Sequence, residues 1–470
     1  MILPAAFTSR MQQLLGTEYE AFEAALLTEP QVSIRLNRAK IASAQPTYRP
    51  VPWCSDGYYL DNRPAFTFDP RLHAGAYYVQ EASSMFLAHI LQSCFDAPIR
   101  YLDLCAAPGG KSTLALSTLP LGSMVVSNEY VRTRAHILAE NISKWGNPYT
   151  IVTNNSAADI GALRHYFDAI LVDAPCSGEG MFRKDAQAIA EWTPAQVNLC
   201  ADRQREILAD VWEALRPGGL LIYSTCTYNI EENEAMLQFL QREFGAKPVT
   251  IDTPVEWHIH PSLTDTPAAR FMPHYTRGEG LFMAVMRKPG DSDECERDQL
   301  LVRNDKRKKS GGKSRKESSV KIPPEVKSWI LAPEKYAFDA DEAQITAVPI
   351  EYTADYALLS SRLDVVHRGI PLATPKGRGW QPHHALALST ALRREAFDAL
   401  PLSLDEAIAY LRREALAVLP DSRRGMRLIT YDNLPIGWGN HLGNRLNNLY
   451  PQEWRIRSGY RPEEWNMPEW

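Results

Sequence analysis

The chain contains no C-x-x-C pair, and its seven cysteines are odd in number and irregularly spaced. That excludes a disulfide framework and a zinc site of the usual ligand spacing, and it points to a reducing compartment, the cytoplasm. The eleven histidines form no metal-ligand spacing either, so no metal is expected. No apolar run approaches the roughly 20 residues that a membrane helix needs. Met1-Ile2-Leu3-Pro4 is not a basic segment leading into an apolar one, so no secretory signal is expected. A strong overall charge is also missing. The net charge of −5 does not itself suggest a nucleic-acid binder. Charge is nevertheless uneven: Arg303, Lys306, Arg307, Lys308, Lys309, Lys313, Arg315 and Lys316 face Asp305 alone. Such a run attracts phosphate through counterion release. With Ser310, Gly311 and Gly312 in its middle it also reads as a solvated linker.

What remains is ordinary globular composition, 45% hydrophobic and 23% charged over 470 residues, enough for two to four domains. From Ile99 strands and helices alternate, the mark of a doubly wound α/β sheet. Two cysteine dipeptides stand out against it. Pro175-Cys176 follows the apolar run Ala169-Ile170-Leu171-Val172-Asp173, and Thr225-Cys226 ends the run Leu220-Leu221-Ile222-Tyr223-Ser224-Thr225. Between them Thr193-Pro194-Ala195-Gln196 opens a helix, with Ile207, Leu208, Val211, Trp212 and Leu215 at helical spacing and Pro217-Gly218-Gly219 as its stop. A right-handed crossover makes the two strands neighbours, so both thiols are expected to face the crevice beyond the strand ends.

A second feature supplies what that crevice binds. The strand Tyr101-Leu102-Asp103-Leu104 runs into Cys105-Ala106-Ala107-Pro108-Gly109-Gly110-Lys111, and a helix begins at Ser112. Small residues there let a ligand approach the backbone, and the helix start favours negative charge. The spacing is neither G-x-G-x-x-G nor a Walker loop. The next strand, Met124 to Ser127, ends in Asn128-Glu129, where this sheet type holds ribose hydroxyls. These features fit an adenosine cofactor without a pyrophosphate, S-adenosylmethionine. A thiol beside a methyl donor suits one reaction. Carbon 5 of cytosine is too poor a nucleophile to take a methyl group until a thiolate adds to carbon 6. Asp173 is placed to serve as the acid near N3. Spacing alone does not rank Cys176 and Cys226, and Arg183 and Lys184 are candidates for RNA phosphates or for stabilising a thiolate.

DLCAAPGGK (Asp103 to Lys111), DAPCSGEG (Asp173 to Gly180) and STCT (Ser224 to Thr227) resemble the Sun/nucleolar-protein family of RNA (cytosine-5)-methyltransferases, and within it the RsmF-type ribosomal RNA enzymes. Arg35-Leu36-Asn37 and His73 to Glu81 look like its N-terminal motifs, and Leu434 to Gly439 with Arg445 to Pro451 look like its PUA-like module. The resemblance implies that Cys226 is the nucleophile and that Cys176 assists product release. It also implies cofactor contacts from Cys105, Ala106, Ala107, Pro108, Gly109, Gly110 and Lys111, and from Glu129 and Asp173. At the third strand's end, where the family often has a carboxylate, Asn155 is the candidate instead. The expected fold is a Rossmann-like class I methyltransferase domain with a small N-terminal α/β lobe and C-terminal α+β and PUA-like modules. The expected division is residues 1–70, an RNA-recognition lobe; 71–290, the methyltransferase domain; 291–320, a basic linker; 321–401, a small α+β domain; and 402–470, the PUA-like domain. The implied substrate is small-subunit (16S) ribosomal RNA, acted on by a monomer with no membrane partner. The alternatives are a transfer RNA cytosine-5 methyltransferase and a non-catalytic RNA-binding assembly factor; a thiol-redox protein is disfavoured by the missing C-x-x-C pair.

Overall fold

The computed structural model describes residues 2–290, 321–377, 379–416, 424–459 and 466–469. The basic run read as a linker, 291–320, lies outside the described residues. Among the described residues no helix is long and apolar enough to cross a membrane.

A ten-stranded sheet organises the chain. Its centre is five parallel strands in the spatial order Thr150–Thr153, Met124–Asn128, Arg100–Asp103, Phe167–Asp173 and Leu215–Thr225. These are the near-continuous apolar runs that a sheet covered on both faces requires. In Phe167–Asp173 every residue but Asp173 is buried. Leu281–Arg287 then adds antiparallel beside Leu215–Thr225, followed by Ala269–Phe271. The chain builds outward in one direction from Arg100–Asp103, then returns to its other side with Phe167–Asp173. That reversal opens a crevice beyond the carboxyl ends of those two strands. The architecture is a Rossmann-like class I methyltransferase fold.

The crossover helix, Pro194–Trp212, starts as its sequence dictates, with Thr193 Oγ1 accepting from the Gln196 N–H at 3.1 Å. It ends earlier than expected. Leu215 is already a strand residue paired with Phe167, and Pro217-Gly218-Gly219 fall inside the strand, in a bulge of the pairing with Phe167–Asp173. Burying Leu215 in the core outweighs one more helical turn.

Three smaller four-stranded sheets surround this body. The N-terminal one joins Pro50–Val51, Cys54–Leu60, Val32–Leu36 and Tyr77–Val79. The helices before it, Ala5–Leu15 and Tyr19–Leu26, pack elsewhere: Phe7, Met11 and Phe22 share a core with Phe182, Trp192, Tyr228 and Met272, beside the two cysteine loops. At the other end Ser403 and Glu406 form the expected capping box on Leu404–Leu411. Gly425–Tyr431 and Leu434–His441 form a hairpin whose turn residues Asp432 and Asn433 both have positive φ. This C-terminal sheet shares a core with the N-terminal lobe, bringing Ile408, Leu411 and Ile436 against Ile34, Leu36 and Leu60.

Residues 353–368 are part of the central body. The strand Val365–Arg368 pairs antiparallel with Thr150–Thr153 and closes that edge of the large sheet. Tyr352, Tyr356, Leu359 and Leu363 enter its core, and Arg100 at the start of the first parallel strand is paired with Asp355.

Candidate active site

The strand Phe167–Asp173 leads to Cys176 and the strand Leu215–Thr225 leads to Cys226. Their parallel pairing, with Asp173 opposite Ser224, brings the following loops together at one sheet edge. The two sulfurs lie 3.1 Å apart, both as free thiols, and the Cys226 N–H points at Cys176 Sγ at 3.3 Å. The two thiols lie side by side at this sheet edge. Cys176 is held well above the usual thiol range, by its hydrogen bond with Cys226 first and by burial second. A proton is therefore retained at this pair.

Lys111 and Asp173 border the pair. Lys111 Nζ donates to Asp173 Oδ2 at 2.7 Å, and Ser224 Oγ donates to the other carboxylate oxygen. Burial works to lower the Lys111 ammonium, but the charge and hydrogen bond of Asp173 hold it above its ordinary value. Cys226 is among the groups that act on it. A fixed cation thus stands within electrostatic range of Cys226.

The loop Cys105–Gly109 leaves the neighbouring strand. Its first peptides are tied to the second strand, with the Ala106 N–H donating to Asn128 O at 2.8 Å. Arg134 Nη2 and Asn141 Nδ2 donate to the Ala107 and Pro108 carbonyls. Gly109 caps the helix Gly110–Thr118 with φ of 115°, a conformation that costs a residue with a Cβ heavily. Ser112 Oγ donates to Asp103 Oδ2 at 2.7 Å, while Asp103 Oδ1, fully buried, has no partner among the described residues. Burial raises Asp103 to about 7. Burial also raises the Cys105 thiol, with Asp103 and Asp173 adding to it, which disfavours its thiolate.

Glu129 sits at the tip of the second strand, buried, accepting from the Val131 N–H at 2.9 Å, with Arg134 at 3.4 Å. Asn155 stands beyond the third strand. Its side-chain oxygen accepts from the Asp364 N–H at 3.0 Å, where the chain enters Val365–Arg368. The residues fit an adenosyl donor: a loop of small side chains at a helix start, an orphaned buried carboxylate oxygen, and an acidic group at the second strand's end.

Arg183 is buried against Glu279 and is not turned toward RNA phosphates, whereas Lys184 keeps part of its side chain exposed. Arg183 Nε donates to Glu279 Oε2 at 2.9 Å inside the protein, and Lys184 Nζ lies 3.3 Å from the other oxygen. Arg183 also donates to the Gly278 carbonyl at 2.6 Å, which fastens the loop after Met272 to the Cys176 loop.

These residues sit in a chain whose likenesses follow the same architecture. Residues 96–287 match the family model described as 16S rRNA methyltransferase RsmB/F, residues 3–82 the N-terminal domain of 16S rRNA methyltransferase RsmF, and residues 397–456 the methyltransferase RsmF PUA domain. The ribosomal RNA small subunit methyltransferase F of Erwinia tasmaniensis is 31% identical over 98% of this chain and 98% of its own length. That of Escherichia coli O9:H4 is 31% identical over 97% of each. The chain belongs to the RsmF family of methyltransferases. It is an S-adenosylmethionine-dependent rRNA methyltransferase with a PUA domain near its C-terminus. Among solved structures, a methyltransferase homologue from Pyrococcus horikoshii is 28% identical, with a TM-score of 0.52 over 60% of this chain and 94% of that one. NSun6 from Pyrococcus horikoshii with SFG is 21% identical, with a TM-score of 0.52 over 61% and 99%. The latter likeness is one of fold.

Some residues around the site carry no signal that sequence reading assigned. Arg35 and Gln80 lie in segments recognisable as N-terminal motifs, but their function appears only when the N-terminal sheet is seen against the cofactor helix. Arg35 Nη2 donates to Thr113 Oγ1 and to the Gly110 carbonyl, while its Nε donates to Gln80 Oε1 at 2.8 Å. Glu179 and Glu232, which follow the two cysteines in their loops, are fully buried. A glutamate in a polar loop reads as surface until the packing is known.

Proposed function

We propose that the enzyme methylates carbon 5 of cytosine in small-subunit ribosomal RNA through a covalent adduct between Cys226 and carbon 6. The observation that carries this reading is the pair of sulfurs 3.1 Å apart beside the Lys111–Asp173 ion pair. The Cys226 thiolate adds to carbon 6, the electrons of the C5–C6 double bond move to carbon 5, and N3 takes up a proton that the Lys111 ammonium delivers through its hydrogen bond with Asp173. S-adenosylmethionine, held by the 105–111 loop, Glu129 and Asp173, supplies the electrophilic methyl group that such a carbon 5 takes. A base then takes the carbon 5 proton, the freed C–H electrons restore the C5–C6 double bond, the C6–S electrons return to Cys226, and N3 gives its proton back to the Lys111–Asp173 pair. Cys176, retaining its own proton at hydrogen-bond distance, stabilises the departing thiolate.

The small-subunit substrate is supported by the names of the relatives and by the PUA match. The N-terminal lobe and the PUA module, which share a core, form one RNA-holding body outside the catalytic sheet. The enzyme works as a monomer, because both thiols, the lysine and the loop come from one chain, and its ribosomal RNA substrate puts it in the cytoplasm.

Bisulfite sequencing of total RNA from cells with and without the gene tests the substrate. Loss of one or a few protected cytosines in small-subunit RNA is expected; loss in transfer RNA would move the substrate, and an unchanged map would leave an assembly factor. Cys226→Ala is expected to abolish methylation, whereas Cys176→Ala traps an RNA–protein adduct visible on a denaturing gel. An adduct with Cys226→Ala instead would reverse the two roles.

A further inference from the structure

The cysteine loops are crossed by two carboxylates that the chemistry above does not use. Glu179 belongs to the loop after Cys176, yet it holds the loop after Cys226. Its Oε2 accepts from Thr227 Oγ1 at 2.6 Å and from the Tyr228 and Asn229 N–H groups at 2.8 and 3.1 Å. Its Oε1 accepts from Asn229 Nδ2 and Trp192 Nε1. Glu232 belongs to the loop after Cys226 and reaches the other way. Its Oε2 accepts from the Ser177 N–H, next to Cys176, at 2.9 Å and from Gln204 Nε2 at 2.8 Å. Asn229 Nδ2 touches both glutamates, 3.1 Å from Glu179 Oε1 and 2.7 Å from Glu232 Oε1.

This arrangement is costly as a purely structural device. Both side chains are 0% exposed, and among the described residues neither forms an ion pair with lysine or arginine. Buried carboxylates satisfied only by neutral donors carry a desolvation penalty that apolar packing avoids. Every group aimed at them is a donor, so only an acceptor with no hydrogens of its own fits both ends. The backbone closes the same gap, with the Gly180 N–H donating to the Cys226 carbonyl at 2.9 Å. Between the two thiols and the two glutamates the loops form one cross-braced unit.

We propose that Glu179 and Glu232 are positioning residues of the transfer reaction, each reaching from one cysteine loop to lock the other and so fixing the Cys176–Cys226 spacing at which the adduct is released. This rests on the reading that Cys226 forms the adduct and Cys176 helps resolve it. Neither glutamate touches the reacting base. Their action passes through the loops, and a displacement of an ångström at the thiols is sufficient to cost on the order of 10²-fold in rate.

The test uses the full-length enzyme with unmethylated small-subunit RNA and S-adenosylmethionine, comparing Glu179→Gln, Glu232→Gln and the milder Thr227→Val with wild type and Cys176→Ala. Expected are a KM for RNA within about twofold of wild type and a kcat lower by about 10²-fold for the glutamine variants. Expected too is accumulation of the same denaturation-resistant adduct that Cys176→Ala gives, because release suffers more than addition. A merely structural role would lower adduct formation and turnover together. Wild-type kcat with no adduct, or a lowered kcat without adduct while Cys176→Ala still traps one, overturns the inference. If a glutamine variant proves insoluble, Thr227→Val decides by the same two criteria. Absence of adduct from Cys176→Ala as well overturns the underlying reading of the cysteines.

Discussion

The guanidinium of Arg35 donates to Thr113 Oγ1 at 2.7 Å, so a strand of the N-terminal sheet grips the first turns of the cofactor helix. Arg35 is buried, stacks on Trp145 at 4.5 Å, and is lowered to about 10 by burial. Its Nε–Gln80 and Nη2–Thr113 bonds need the fork of an arginine, which lysine does not reproduce. Arg35→Lys is expected to weaken S-adenosylmethionine binding by about tenfold, since misplacing the helix start misplaces the loop. Isothermal titration with S-adenosylhomocysteine measures it; unchanged affinity would confine Arg35 to packing.

Asp103 predicts a pH signature. Its carboxyl is raised to about 7 in the folded chain, chiefly by burial, with Asp173 and Glu129 adding to the shift and Ser112 and Lys111 opposing it. From the ordinary aspartate value up to about 7 the unfolded chain releases a proton that the folded chain keeps, so this group's contribution to stability falls as pH rises through that window. Below the window both states are protonated and the contribution is constant. Asp103→Asn keeps the acceptor for Ser112 and removes the titration. Denaturant midpoints of the variant are therefore expected to decline less between pH 5 and pH 8 than those of wild type.

Gly180 has no room for a side chain. A Cβ there would stand 2.6 Å from the Gly280 carbonyl oxygen and 3.0 Å from that of Cys226. Gly180→Ala must push the Gly280 backbone away and crowd the Cys226 carbonyl, at a cost of about 1–3 kcal/mol in stability. Methylation is expected to fall more steeply than the melting temperature would suggest, by on the order of 10²-fold, in a single-turnover assay.

How far the sequence shows these features depends on their range. The two strands before the cysteines were legible because their apolar runs are fully buried, and the Thr193 cap was legible because capping is local. Once crossover handedness placed those strands side by side, the meeting of the thiols followed from connectivity alone. The stop of the crossover helix was misplaced by Pro217-Gly218-Gly219, which serve a bulge that only pairing with Phe167–Asp173 reveals. Arg183 reads as a phosphate ligand until Glu279, far along the chain, is seen to neutralise it. The buried glutamates, the Arg35 grip and the strand Val365–Arg368 all depend on contacts between segments distant in sequence, which no local pattern encodes.

The ion pair between Arg100 and Asp355 fixes a later segment to the first strand of the sheet, with Tyr166 also donating to Asp355 at 2.7 Å. The Asp355 side chain is 2% exposed, so removing it strands a largely buried guanidinium. Asp355→Ala is expected to destabilise the protein by about 3–5 kcal/mol, read from urea denaturation, with the methylation rate of the remaining folded enzyme near wild type. A loss well below 1 kcal/mol would show that the helix Thr353–Arg362 is held by its apolar face alone.

The strand Val365–Arg368 also governs when this protein can be whole. During synthesis the ribosome releases both thiol loops long before the segment that borders Thr150–Thr153, so the growing polypeptide carries a bare hydrogen-bonding rim until residues 365–368 arrive, about 140 residues after Cys226. A gene cut after the catalytic motifs encodes every reacting group and still yields a body with one flank unsealed.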